Sequence, residues 1–386
     1  MRSACLASPT QTITHVGEAQ MILTSFLVRN FRNIQEANLA LSRGIHLFSG
    51  ANAQGKTALV EAILFLATST SHRTRREEEL IRWGEEVAFL RGVIQHGEES
   101  ESIECGLEKR KKIIKIDKRT LPRVGDLYGH LRTVLFAPED LQIIAGSPQE
   151  RRRFLDMAIA QIDSAYIPLL QQFRRALNQR NRILKRLQLT KNAEGMRELG
   201  IWDHTFLDYS TQVTRRRCEM TQVLAPLVRS FYESLAEEGP FSMKYSGGDE
   251  ADEFIIRERL QNRLERIRQS EIERGASLLG PHRDDLQFIL ADKNVSVFAS
   301  QGQRRTTALA LRLAEAKLSF EKTGARPLLL IDDVIYEMDN TRRGRFWEQV
   351  DQSGPLIVTA TSREQLGPGL QLTSIFQVHN GEIHSS

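Results

Sequence analysis

Cysteine is scarce in this 386-residue chain: Cys5, Cys105 and Cys218 are the only three, odd in number and far apart. That pattern argues against a disulfide framework and against a cysteine-held zinc site. Aromatic residues make up only 7% of the chain. No apolar run approaches the ~20 residues of a membrane-spanning helix, and residues 1–20 lack the apolar core of a secretory signal. A cytoplasmic location without a membrane partner is therefore expected. The nine histidines form no ligand-spaced cluster, which argues against a transition-metal centre. Internal repeats and low-complexity segments are also lacking.

What the chain does have is length and apolar content, 40% hydrophobic, enough for two or three domains with a real core. Its net charge of +4 and pI near 9.0 lean modestly toward an acidic partner such as nucleic acid. Distribution says more than the sum. Arg174, Arg175, Arg180, Arg182, Lys185 and Arg186 follow one another with no acid between them. Further basic groups stand at Arg73, Arg75 and Arg76, at Lys109 to Lys112, which includes Lys111 and Lys112, at Lys118-Arg119 and at Arg215 to Arg217. A solvated helix face is the commoner fate of such runs. The Arg174–Arg186 cluster is too broad for one narrow helical stripe, so part of it is expected to turn inward into ion pairs; Arg180, Arg182, Lys185 and Arg186, with Arg73, Arg75, Arg76, Lys111 and Lys112, are the residues expected to face DNA phosphates.

Gly50-Ala51-Asn52-Ala53-Gln54-Gly55-Lys56-Thr57 reads G-x-x-x-x-G-K-T. Ile45 to Ser49 before it suits a buried strand, and Leu59, Ala62, Ile63 and Leu66 after it fall at helical spacing. Strand, loop and helix are the context in which this motif cradles phosphates with backbone N–H groups. Lys56 is expected to reach the β- and γ-phosphates of ATP, and Thr57 to offer its hydroxyl to Mg2+. The continuous run Leu328 to Ile331 predicts a strand buried on both faces. It ends in Asp332-Asp333, and Asp332 is the natural second ligand for Mg2+.

Strand patterns at Ile22–Val28, Val87–Ile94, Ser102–Leu107, Ile113–Ile116 and Thr133–Phe136 mark the N-terminal third. Ser147-Pro148-Gln149-Glu150 predicts a capping box that opens a helix. From there to about Arg274 the pattern is helical almost throughout, interrupted by Pro168, Pro226 and Pro240. Strand patterns return at Leu286–Leu290, Leu328–Ile331 and Leu356–Val358, and a terminal hairpin is expected around Asn380-Gly381. The expected fold is α/β, a mixed β N-terminal lobe plus a parallel-sheet core, split by a helical arm. Its parts are residues 21–145, carrying the phosphate loop, the arm at 146–274, and residues 275–386. Residues 1–20 are expected to be a disordered extension or the product of an upstream start.

Ser300-Gln301-Gly302-Gln303 precedes a helix with an apolar face at Leu309, Leu311, Leu313 and Leu318, and Ser300 with Gln303 has capping-box spacing. The order of phosphate loop, Ser-Gly-Gln signature, Asp-Asp strand and Glu337-Met338-Asp339 resembles the ATP-binding-cassette heads of the SMC and RecF class. Asn30-Phe31-Arg32-Asn33, Ser71-His72-Arg73-Thr74-Arg75, Phe136 to Leu141, Gly146-Ser147-Pro148, Arg151 to Asp156, Gln179-Arg180-Asn181 and Gly280 to Leu286 narrow the resemblance to the RecF family. It runs from Met21 to Ile383.

The resemblance implies an ATP-gated DNA-binding homodimer of recombinational repair and replication restart. It implies binding at single-strand gaps or duplex DNA within the DNA-damage (SOS) response, and RecA loading with RecO and RecR. It also implies that Ser300, Gly302 and Gln303 complete the partner protomer's ATP site, that Asp339 marks the D-loop, and that Asp332 and Asp333 carry slow, DNA-stimulated hydrolysis. The chain departs from cassette ATPases in having Asp333 in place of glutamate. Thr359 or Thr361 stands where a switch histidine is usual, Ala137 stands at the Q-loop position beside Glu139 and Asp140, and Met338 replaces leucine. An ABC-transporter nucleotide-binding subunit is a competitor, but it lacks an insert of this size and carries the switch histidine. A structural SMC protein needs a far longer coiled coil, and an ATPase fused to a nuclease needs a further acidic cluster.

Overall fold

The computed structural model describes residues 21–385 apart from 191, 237 and 353. Residues 1–20, expected to be an extension, lie outside the described residues. The N-terminal part runs β1 (Met21–Phe31), β2 (Ile34–Ala40), β3 (Gly44–Ser49), α1 (Lys56–Thr68), β4 (Val87–His96), β5 (Glu99–Glu108), β6 (Lys111–Ile116), β7 (Arg119–Thr120), β8 (Thr133–Phe136) and α2 (Leu141–Ala145). Six of these strands form an antiparallel sheet in the order β2-β1-β4-β5-β6-β7. Its alternating residues pack on α1, which is why the strands read as apolar on one face only.

The arm follows as α3 (Pro148–Ile162), α4 (Tyr166–Thr190), α5 (Ala193–Leu235), β9 (Phe241–Tyr245) and α6 (Glu253–Arg274). Three expectations are corrected here. Ser147 is the N-cap of α3 and Pro148 its first residue, but the Ser147 side chain makes no capping hydrogen bond, while Glu150 faces Arg75 at 3.4 Å. Pro168 and Pro226 do not break the helices: the first lies in the opening turn of α4, where no N–H is required, and α5 runs 43 residues through the second. The arm is also not all helical, because β9 pairs antiparallel with the strand Leu286–Leu290 beyond it.

The chain returns through β10 (Leu286–Leu290), β11 (Lys293–Asn294), α7 (Val295–Phe298), α8 (Gln301–Thr323), β12 (Leu328–Asp332), α9 (Asn340–Gln349), β13 (Pro355–Ala360), β14 (Leu372–His379) and β15 (Glu382–Ser385). The central sheet has the order β15-β14-β3-β13-β12-β8 and is parallel except for the β14–β15 hairpin. In β12, Leu328 and Leu330 enter the core shared with α1, whereas Leu329 and Ile331 enter the core shared with α8 and the arm helices. Both faces of the strand are covered, and the run is apolar at every position for that reason. Because α5 packs along α8, the arm's root and the head share one core.

Candidate nucleotide site

The site forms where β3, β13 and β12 end side by side, the usual position for a ligand in a parallel sheet. The loop Gly50–Gly55 leaves β3 and opens α1, whose N-cap Gly55 has φ 121°. A Cβ on Gly50 would stand 2.2 Å from the Val378 carbonyl, so the loop approaches β14 as only glycine allows. Lys56 is buried, and its Nζ donates to the carbonyls of Gly50 at 2.8 Å and Ala51 at 3.1 Å. Both partners are neutral, so the cation is positioned across the loop mouth with its charge uncompensated by them.

The terminal hairpin braces this loop. Asn380 N–H donates to Gln54 Oε1 at 2.7 Å and Gly381 N–H to the Gln54 carbonyl at 2.8 Å. Asn380 and Gly381 have φ 50° and 82°, the left-handed pair that an Asn-Gly hairpin turn requires. A Cβ on Gly381 would fall 2.1 Å from the Asn33 carbonyl, which ties the Asn30–Asn33 motif to the same corner.

Asp332 ends β12, buried, and accepts from the Thr359 hydroxyl at 2.7 Å and from the Thr57 hydroxyl. Thr359 Oγ1 also accepts from Asp333 N–H at 2.9 Å, which fixes Asp333 at φ 51°. Burial pushes the Asp332 carboxyl from 3.8 up to about 6, with the charges of Asp333 and Glu139 adding to the rise and the bonds from Thr359 and Thr57 opposing it. A hydroxyl and one buried carboxylate with like charges around it suit Mg2+, which takes one or two protein ligands and completes its shell with phosphate and water. Among the described residues no cluster of three or more His, Cys, Asp or Glu competes for a metal.

The folded protein holds the Asp332 proton up to about pH 6, the unfolded chain only to 3.8. Between those values the folded state binds more protons, so stability is lost as pH rises through the window. Asp332→Asn is therefore expected to raise stability without nucleotide at pH 7–8 by up to ~3 kcal/mol, the gain vanishing near pH 4. Thermal unfolding across pH checks this; a gain independent of pH contradicts it.

Ser300 and Gln303 form the expected capping box, with Gln303 N–H donating to Ser300 Oγ at 3.2 Å and Ser300 N–H to Gln303 Oε1 at 2.8 Å. Its neighbours are α9 and the turn Ile335–Glu337: a Cβ on Gly302 would lie 2.9 Å from the Arg342 guanidinium, and Arg305 pairs with Glu337 at 3.0 Å. Asp339 caps α9, accepting from Arg342 N–H at 2.9 Å, and that backbone donor holds its carboxyl low. Lys56, Thr57 and Asp332 thus meet at the ends of neighbouring strands, while the capping box of Ser300 and Gln303, with Gly302, adjoins α9 and its Asp339 cap. Thr359 lies beneath Asp332, whereas Thr361 is exposed, its N–H held by Gln365. Asp140 is committed to Arg312 and to Ala137 N–H, which leaves Glu139 as the exposed carboxylate of that turn.

Sequence reasoning passed over Glu61, fully buried on α1 and bonded by Arg32 at 2.9 and 2.8 Å and by Ser71. Burial pushes its carboxyl up, but the Arg32 and Ser71 bonds outweigh it and hold it below the ordinary value. An acid inside the apolar run Val60 to Leu66 was the available signal.

The DNA candidates divide. Arg180 is a correction: it is fully buried, donating to Asp203 at 2.8 Å, Glu271 at 2.6 Å and Ser277 at 2.7 Å, and it cannot meet phosphate. Lys112 is largely covered, paired with Glu77 and set over the Phe65 ring. Arg73, Arg75, Arg76 and Arg186 are exposed but face Glu61, Glu150, Glu79 and Glu198 respectively. Lys111, Arg182 and Lys185 are exposed. Arg217, from another basic run, is buried on Asp156 and the Pro281 carbonyl, and Arg151 grips Asp285 at 2.7 and 2.9 Å. Those arginines knit the arm's root.

The RecF/RecN/SMC N terminal domain model matches residues 22–384. The DNA replication and repair protein RecF of Bacillus mycoides (strain KBAB4) is 39% identical over 370 residues, covering 94% of this chain and 98% of that protein. RecF of Bacillus cytotoxicus is 38% identical over 89% of this chain and 92% of its own length. A solved structure of the recombination mediator protein RecF with ATP in the RecFOR pathway superposes with a TM-score of 0.88 at 31% identity, covering 97% of this chain and all of that one. An Smc head domain from Pyrococcus furiosus, at 15% identity and a TM-score of 0.56, shares the fold alone. On the match along nearly its whole length, and on the shared ATPase-head architecture, the chain belongs to the RecF family.

Proposed function

We propose that this protein is an ATP-gated, DNA-binding switch of recombinational repair and replication restart. The observation that carries it is the convergence of Lys56, Thr57 and Asp332 at the ends of three adjacent strands, in a chain whose RecF relative was solved with ATP. When bound, Mg2+ neutralises phosphate charge and ATP supplies the group that two protomers share. Gly50–Thr57 hold the phosphates, and Thr57 with Asp332 hold the metal. The edge carrying Ser300, Gly302 and Gln303 completes the partner protomer's site, with Asp339 beside it, and two heads close face to face.

Closure brings two arms together, and the exposed basic residues Arg182 and Lys185 on α4, with Arg73, Arg75, Arg76, Lys111 and Arg186 as further contacts, offer charge to DNA phosphates. Asp333, whose backbone N–H is held by Thr359, aligns or deprotonates water in this reading. As it is one methylene shorter than glutamate, turnover is slow and reopening releases DNA. In this role the protein works in the cytoplasm at single-strand gaps, with RecO and RecR, to help RecA load.

Ser300→Arg tests the shared site. The variant is expected to bind ATP as the parent does, since Ser300 bonds only within its own cap, and to fail to dimerise with ATP and Mg2+. Nucleotide binding measured beside sedimentation velocity decides it, and normal dimerisation contradicts the proposal.

A further inference from the structure

Three apolar side chains stand out of the edge that carries the signature. Phe298 is 69% exposed, Val297 62% and Tyr336 56%. They are not on floppy ground. Val295 anchors α7 in the core, Asn294 caps it through Ser296 N–H at 2.8 Å, and Arg304 of α8 donates to the carbonyls of Val295, Ser296 and Val297. Arg305 holds the Tyr336-bearing turn through Glu337 at 3.0 Å, beside the Asp339 cap of α9. A backbone held by so many bonds loses little freedom when the side chains it carries outward are covered, which favours an interface anchor.

We infer that Phe298, Val297 and Tyr336 are the apolar anchors by which a second copy of this chain docks against the signature edge in the ATP-bound state. The inference rests on the proposed face-to-face closure and adds what holds it. Ser300 Oγ and Gln303 Oε1 each accept one backbone N–H of the capping box, so their remaining donors, the Ser300 hydroxyl and the Gln303 amide, give a partner direction rather than much area. An aromatic ring buries about 150–250 Å2, and two protomers in a symmetric dimer contribute each anchor twice. Nucleic acid fits the patch less well, since the arginines beside it are already engaged: Arg304 with backbone carbonyls, Arg305 with Glu337, Arg342 with Glu238 and Asp339.

The test is sedimentation velocity with ATP and Mg2+ on Phe298→Ser and Tyr336→Ser, with Trp83→Ser and Phe254→Ser as controls. The last two are 99% and 74% exposed elsewhere on the molecule. The expected result is dimer affinity weakened roughly tenfold or more by each of the first pair, with ATP affinity unchanged, and no effect from the controls. Wild-type dimerisation by Phe298→Ser and Tyr336→Ser overturns the inference while leaving head closure intact. Weakened DNA binding with normal dimers assigns the patch to DNA and overturns it as well. A parent protein that binds ATP and stays monomeric removes both the inference and the closure on which it rests.

Discussion

Lys56→Met is expected to lower ATP affinity by at least about a hundredfold and to abolish the proposed ATP-dependent dimer, because it deletes the cation held across the mouth of the phosphate loop. The fold survives the change. Methionine keeps the apolar stem, α1 remains packed on the N-terminal sheet, and the loop is still braced by the hairpin through Gln54. What is lost locally is two hydrogen bonds to the Gly50 and Ala51 carbonyls, each worth about 1–3 kcal/mol when an acceptor is left unpaired. Calorimetric titration of ATP against the folded variant checks this, and parental affinity would put the nucleotide elsewhere.

Arg180→Ala has a large effect of a different kind. The guanidinium joins α4 to Asp203 of α5, Glu271 of α6 and Ser277, and lies over the Phe206 ring at 5.1 Å. Its removal leaves the buried Glu271 without a cation and Asp203 with Arg268 alone, a loss of about 3–5 kcal/mol. Arg180→Lys does not restore it, since one ammonium cannot replace a fork aimed at three partners. Urea unfolding of the two variants measures the loss. Undiminished stability together with weaker DNA binding would return Arg180 to the DNA surface.

Most of the head was legible because its strands obey simple covering rules. Leu328 to Ile331 is apolar at every position since both faces are buried, and the phosphate loop lies between a strand and a helix that the flanking residues announce. What escaped depends on partners far along the chain. β9 is five residues within helical surroundings, and its pairing with β10 joins Phe241 to Leu290. β2, an edge strand, buries only Ile34, Ala37 and Leu39, a spacing too irregular to announce a strand.

The Arg174–Arg186 cluster is instructive. Phe173, Ala176, Ile183, Leu184 and Leu187 line the buried stripe of α4, and Arg180 falls on that same stripe, four residues after Ala176 and three before Ile183. Its inward direction was written in the spacing, although its charge pointed to the surface. Arg182 and Lys185 fall off the stripe and are exposed. The bracing of Gln54 by Asn380 and Gly381 had no local signal, since the two lie more than 300 residues apart.

In the proposed mechanism Lys56, Thr57 and Asp332 bind ATP so that a second copy can close on it. Sedimentation velocity of the unaltered protein, with and without ATP and Mg2+, tests it most directly. A monomer that becomes a dimer only when both are present is the predicted result. A sedimentation coefficient that does not respond to nucleotide, in protein shown to bind it, would rule out ATP-gated closure.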